Sequence, residues 1–280
     1  MENRKIICGA LACPVCGSEL SLTPDEKSAA CEGAGKRHLF DFAAGGYLNL
    51  YTSRASGGDS GECIAARNAF LAKGYYEKIS DAVNALLGKY APSGARVLDA
   101  GCGEGYYTLR MAENGRSAFG FDLSKNGVNI AAKAAKRSAK PAFFGVASVF
   151  ALPVLSESMD AVTTIFAPCA EEEYARVLKP GGVLILAGAG KDHLIDLKKA
   201  VYENAYENEG RRDLPTEKFE LLGEASVSYD ITLENGKDIE NLFAMTPYFY
   251  RTSQKDKEKL DAFSSLCTKI DVELFIYRKK

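Results

Sequence analysis

The sequence holds no long apolar run, which excludes a membrane-spanning helix. The apolar stretch in the opening residues, MENRKIICGALACPVC, is too short for the hydrophobic region of a secretory signal, and a cytoplasmic location is expected. An excess of one charge sign is also missing. With 35 Lys and Arg against 37 Asp and Glu, the net charge is −2, so any contact with nucleic acid must rest on local patches. Histidine is scarce, with two in 280 residues, and one that falls beside clustered cysteines is therefore pointed. Internal repeats and low-complexity segments are lacking, and no paired carboxylates mark a general base, which leaves the catalytic residue unassigned.

What is present suits a globular α/β protein with a small accessory module: 46% hydrophobic and 26% charged residues. Residues 1–50 are rich in Cys, Gly and turn formers, with no helical period able to build a core unaided. The Gly/Ser-rich YTSRASGGDSGE then reads as a linker or loop. CIAARNAFLAKGYYEKISDAVNALLGKY predicts two helices broken at Gly74, so that 51–92 leads into a core domain over 93–280. In that domain ARVLDA, AFGFDL, AFFGVA, MDAVTTIF and GGVLILAG read as strands. Helices in NGVNIAAKAAKRSA and EEEYARVL alternate with them, the pattern of a Rossmann-like parallel sheet. Beyond 190 the pattern predicts helices around HLIDLKKAVYENAY, KDIENLFAM and KEKLDAFSSL, and strands near FELLGEASVSYDITL and VELFIYR.

The strongest chemical signal is VLDAGCGEG, where a strand carrying Asp99 enters a turn with Gly101, Gly103 and Gly105. Glycine lets backbone approach a ligand closely and accepts the positive φ of a tight strand-to-helix turn. About twenty residues on, Asp122 closes the next strand, where a carboxylate can bind ribose hydroxyls. Together these residues resemble the class I methyltransferases, which implies an S-adenosylmethionine site, more than the dinucleotide dehydrogenases with their GxGxxG loop. Glu104, an acid at the helix start, suits a cationic methionine-bearing ligand better than a pyrophosphate. Ala167, Pro168 and Cys169, at the end of MDAVTTIF, are expected to face the methyl acceptor, and LKPGG is an architectural helix-to-strand turn.

Cys13 and Cys16 form a CxxC knuckle, and Cys31 and His38 follow at a distance a small loop can close. Four such ligands fit a closed tetrahedral Zn2+ site, which would supply the folding energy that residues 1–50 lack. Cys8 could replace one of the four, and redox chemistry is disfavoured because no βαβ pattern surrounds the knuckle. Lys36, Arg37, Tyr47, Asn49 and Arg54 could stand beside RNA or simply be solvated. The same holds for Lys133, Lys136, Arg137 and Lys140, on a helix with no acids nearby in sequence.

Taken in order, CPVC, Cys31 with His38, HLFDFAAGGYLNL, ARNAFLAKGYY, VLDAGCGEGYYT, FAPC, DHLIDLK and MTPYFYR resemble the 23S ribosomal RNA guanine-N1 methyltransferases over nearly the full length. That resemblance implies an N-terminal zinc module joined to a class I S-adenosylmethionine-dependent methyltransferase domain. It implies N1 methylation of a guanine in a hairpin loop of 23S rRNA by a protein that tends to dimerise. It also implies zinc ligation by Cys13, Cys16, Cys31 and His38, and cofactor contacts from Gly103, Glu104, Tyr76 and His193. EGAGKR, between Cys31 and His38, is longer than the family's three-residue spacing. Alternatives are a 5-methylcytosine enzyme using Cys169 of Pro168-Cys169 as nucleophile, a small-molecule methyltransferase, and a non-catalytic RNA-binding scaffold.

Overall fold

The computed structural model describes residues 2–33, 35–53, 58–205, 207–209 and 217–280, so Arg54 lies outside the described residues. A helical turn, α1 (Glu2–Lys5), leads to three short strands, β1 (Leu20–Leu22), β2 (Ser28–Cys31) and β3 (Leu39–Asp41), paired antiparallel in that order. After β4 (Leu48–Asn49) come α2 (Gly61–Leu71) and α3 (Glu77–Tyr90), separated at Gly74 as the sequence predicts. Ser60 caps α2 by accepting from the Cys63 N–H.

The alternating core follows: β5 (Arg96–Ala100), α4 (Tyr106–Met111), β6 (Ser117–Asp122), α5 (Lys125–Ser138), β7 (Ala142–Val146), β8 (Met159–Ile165), α6 (Glu171–Val177) and β9 (Leu178–Ala189). It is completed by α7 (Ile195–Val201), β10 (Phe219–Leu233), α8 (Gly236–Ala244), α9 (Gln254–Lys257) and β11 (Leu266–Lys279). These strands and β4 form one sheet in the order β10-β11-β9-β8-β5-β6-β7-β4. From β9 to β4 the pairings are parallel; β11 is antiparallel to β9 and to β10. The winding reverses at β5, which pairs with β6 on one side and β8 on the other, so the crevice for a ligand opens at the carboxyl ends of those strands.

Central strands are buried along nearly their whole length, and mostly apolar, because both faces are covered. On one face Val97, Ala161, Val183 and Ile185 pack with Ile79 and Val83 of α3, Val128 and Ala131 of α5, and Ile239 and Leu242 of α8. On the other, Leu98, Phe119, Phe121, Val162 and Leu184 pack with Tyr174 and with Ile7, Leu11 and Leu20 from the N-terminal segment. Those N-terminal side chains are fully buried, each worth about 1.5–3 kcal/mol. The main sheet thus supplies part of the core that residues 1–50 cannot build from their own pattern. Tyr47 belongs to a buried cluster as well, which removes it as an exposed partner for RNA.

Three local expectations change. KEKLDAFSSL is not a helix: α9 ends at Lys257, a single turn of 3-10 helix covers Glu258–Ala262, and β11 begins at Leu266. The backbone turns extended at Phe263, φ −100° and ψ 115°, and Leu266 then opens the pairing of β11 with β10 opposite Leu233. The helix around HLIDLKKAVYENAY is limited to Ile195–Val201, with Leu194 at φ 57° before it and Tyr202 extended after it. Of the four basic residues expected on one helix, Lys140 lies two positions beyond the end of α5, where its Nζ pairs with Glu113 Oε1 at 2.7 Å.

One buried carboxylate ties the turn between α2 and α3 to α8. Asp238 accepts from Lys73 Nζ at 2.6 and 2.7 Å, Tyr75 Oη at 3.0 Å and Asn235 Nδ2 at 3.0 Å. Replacing Asp238 with Ala leaves these donors unmatched beside an apolar interface. We expect a loss of about 2 kcal/mol of stability, read as a lowered thermal unfolding midpoint.

Candidate active site and metal centre

The glycine turn sits where β5 meets α4, and its shape is set from below. Asp99 is 2% exposed. Its Oδ2 accepts from Thr108 Oγ1 of α4 at 2.5 Å and its Oδ1 from Thr163 Oγ1 of β8 at 3.0 Å. Burial pushes its carboxyl up to about 6 against the pull of those two hydroxyls. Asp99 is therefore placed as a prop beneath the turn. Gly101 has φ 85°, and a Cβ there would come 2.5 Å from the Cβ of Ala167, so the segment after β8 lies directly on the turn.

Asp122 closes β6 as expected. It accepts the Gly103 N–H at 3.0 Å through Oδ2 and the Ser124 N–H at 2.7 Å through Oδ1. The two amides fix the carboxylate at the mouth of the crevice, where it stays partly exposed with lone pairs to spare, and burial raises its pKa. Gly105, at φ 80°, starts α4.

Glu104 differs from the expectation that it offers a bare acid to a cation. Its carboxylate is buried and paired with Arg67 of α2, Nε to Oε2 at 2.7 Å, and Arg67 Nη1 also reaches Asp59 Oδ2 at 2.5 Å. A Cβ on Gly103 would lie 2.6 Å from Arg67 Nη2, so the guanidinium rests on the glycine itself. Nothing in the sequence pattern links Arg67 to Glu104, 37 positions away.

Tyr76 and His193, distant in sequence, meet. Tyr76 Oη lies 3.3 Å from His193 Nε2, and both side chains are buried. His193 Nδ1 accepts the backbone N–H of Asp271 at 3.2 Å, so the neutral ring carries its proton on Nε2 and donates it to Tyr76 Oη. Burial pulls the His193 pKa down to about 4, so the ring is neutral at neutral pH, with both nitrogens engaged by Tyr76 and the Asp271 N–H. Phe166, which sequence reasoning did not single out, completes an aromatic corner with ring centroids 5.3 Å from His193 and 6.0 Å from Tyr76. Cys169 lies elsewhere: it packs against the core on the opposite face of the sheet from Tyr76.

The crevice residues fit a methionine-linked nucleoside. The buried hydroxyl of Tyr107, two residues past Gly105 in α4, has no hydrogen-bond partner among the described residues and is available to a polar ligand group. Asp122 suits ribose hydroxyls, and Arg67 with Glu104 offers both signs of charge to a zwitterionic amino acid. When bound, S-adenosylmethionine supplies an electrophilic methyl group at this place.

At the other end of the chain, Cys13, Cys16, Cys31 and His38 come together with all four ligand atoms within 4.8 Å of one another. Cys13 Sγ and Cys31 Sγ lie 3.6 and 3.4 Å from His38 Nδ1, and Cys16 Sγ lies 3.6 Å from Cys31 Sγ. A tetrahedral zinc ion spaces its sulfur and nitrogen ligands roughly 3.5–3.8 Å apart, so the donor set fits. The long EGAGKR connection is absorbed by the β2–β3 hairpin, in which Cys31 N–H bonds to His38 O at 3.1 Å. Cys8 is not in the cluster.

A doubly wound sheet with a GxGxG turn and an acidic second strand defines a class I S-adenosylmethionine-dependent methyltransferase, and residues 97–182 match the family described as "Methyltransferase domain". Beyond that domain, similarity runs along the chain. It is 32% identical to a 23S rRNA (guanine(748)-N(1))-methyltransferase of Streptomyces fradiae, over 71% of this chain and 70% of that one. It is 30% identical to a Micromonospora griseorubida protein named provisionally as a 23S rRNA (guanine-N(1)-)-methyltransferase, over 86% and 87% of the two chains. A Bacillus subtilis protein with a provisional name of the same form is 28% identical over 95% and 96%. The chain belongs to the 23S rRNA guanine-N1 methyltransferase family.

Two outcomes follow for the two sites. Purified protein should carry about one zinc per chain by elemental analysis. Cys31→Ser should lose it and unfold at a lower temperature, because Cys13 and Cys31 belong to the same buried cluster as Leu98 and Phe119. For His193, whose folded pKa is depressed, stability present above pH 6.5 is lost as pH falls toward 4, because only the unfolded chain takes the proton. Asp99, raised to about 6, works in the opposite sense as pH falls. His193→Gln should therefore lose less stability than the parent across that window in a pH series of thermal melts.

Proposed function

We propose that this methyltransferase acts on N1 of a guanine in a hairpin loop of 23S rRNA. The observation that carries the reading is the similarity to guanine-N1 methyltransferases of 23S rRNA along most of the chain, N-terminal module included. Residues 1–50 serve as the RNA-recognition module, 51–92 as the helical lead-in and 93–280 as the catalytic domain. Exposed Lys36, Arg37 and Asn49 are available to RNA, and the protein works as a cytoplasmic homodimer. Among the described residues no helix is long and apolar enough to cross a membrane.

In this reading Gly101, Gly103, Gly105, Glu104 and Asp122 hold the cofactor at the carboxyl ends of β5 and β6. Asp99 keeps the turn in shape, and Tyr76 and His193 contact the cofactor on the side from which the acceptor enters. An unpaired loop base reaches the crevice without the cost of leaving a helix. The chain's contribution to rate is chiefly alignment: N1 gives up its proton to water, and the in-plane lone pair so exposed must meet the methyl carbon in line with the departing sulfur. Cys169, packed on the other face of the sheet, gives the covalent 5-methylcytosine route no nucleophile at this corner.

The test is methyl transfer from labelled S-adenosylmethionine to 23S rRNA taken from cells lacking the gene, with mass spectrometry of the product nucleoside. Formation of 1-methylguanosine at one position is the expected result, and 5-methylcytidine, or activity confined to small acceptors, overturns it. Asp122→Asn should weaken cofactor binding about tenfold or more by calorimetry, since it exchanges a charged acceptor for a neutral one.

A further inference from the structure

The segment leaving β8 holds a side chain that the core does not need. Phe166 has φ 52°, the left-handed region that a bulky residue avoids, and its side chain is 42% exposed. The backbone is nonetheless well anchored, with the Phe166 N–H donating to Ala187 O at 3.0 Å and Ala167 seated against Gly101. This geometry sends the ring away from the sheet and into the corner formed by Tyr76 and His193. There its plane lies 31° from that of the imidazole at 5.3 Å, near enough to parallel for an offset stack. His193 in turn is held by the Asp271 N–H, so the ring behind Phe166 does not swing. One side of Phe166 is thus backed by a rigid neutral aromatic, and the rest faces solvent beside the glycine turn.

We propose that Phe166 is the platform on which the target guanine stacks, with His193 and Tyr76 bracing it from behind. The proposal rests on the RNA reading above and adds to it a specific positioning residue. Its chemical logic lies in the direction of attack. Once the N1 proton has left, the lone pair on N1 lies in the plane of the base, so the surface that sets the plane also sets the line along which N1 meets the methyl carbon. Stacking accepts any base, so Phe166 fixes orientation and leaves the identity of the base to polar contacts. The backbone strain is a cost that the fold carries to hold the ring in that position.

Three variants test this, each assayed for cofactor affinity, thermal midpoint, and kcat and KM on the rRNA. Phe166→Tyr keeps a stacking face and should stay within about threefold of the parent, whereas Phe166→Leu should lose about ten- to hundredfold in kcat/KM with cofactor affinity unchanged. Phe166→Asn places a residue tolerant of positive φ at the site and should keep or raise the midpoint while losing activity, which a merely structural role would not produce. The platform is overturned if Phe166→Leu retains parental kcat/KM, or if the losses follow cofactor affinity or the thermal midpoint. Absence of rRNA methylation by the parent protein would overturn the RNA reading and the platform with it. Activity of the parent matched by Phe166→Leu would remove the platform alone.

Discussion

A carboxylate that must sit in the dry centre of a sheet has to be given donors, and most of what surrounds the glycine turn follows from how Asp99 gets them. Thr108 reaches it from α4 and Thr163 from β8, so three elements that diverge from the switch point converge on one side chain. Leaving such a group without partners would cost several kcal/mol, so the three residues form one unit. The turn from Gly101 to Gly105 is strung between two ends of that unit. Its amide at Gly103 is then aimed at Asp122 on the neighbouring strand, and the two acids, one below the turn and one beside it, divide the work of shaping the turn and facing a ligand.

Charge in the crevice is similarly shared. Arg67 comes from α2, outside the alternating core, yet it neutralises Glu104 and rests on Gly103. Its second carboxylate, Asp59, belongs to the residues just before that helix. An ion pair this well enclosed contributes little net stability by itself, because desolvation offsets attraction. Its value is in geometry: α2 and the glycine turn cannot be displaced independently, and α2 is also the helix whose far end leads through Gly74 to Tyr76.

Much of this was legible in the sequence. Buried parallel strands read as apolar runs because both faces are covered, the glycine turn is marked by residue type alone, and the CxxC knuckle pointed to its partners Cys31 and His38. What could not be read depends on the tertiary fold. Arg67 and Glu104 share no local pattern, the left-handed backbone of Phe166 is not written in its residue type, and the helical spacing before β11 is cut short where Leu266 must meet Leu233 of β10. Tyr47 looked like a surface aromatic in a loop-rich segment, and its burial follows from packing of β4 and its flanks against the main sheet.

The manner in which the N-terminal strands are attached has a consequence for how any large substrate would be met. Ile7, Leu11 and Leu20 are sunk into the underside of the catalytic sheet, Leu11 bridges to Val154, and β4 extends the sheet itself. A module cemented at so many points is no swinging arm. It behaves as a fixed jaw at a set span from the glycine turn, so a large substrate that touched both would have to bend to suit that span.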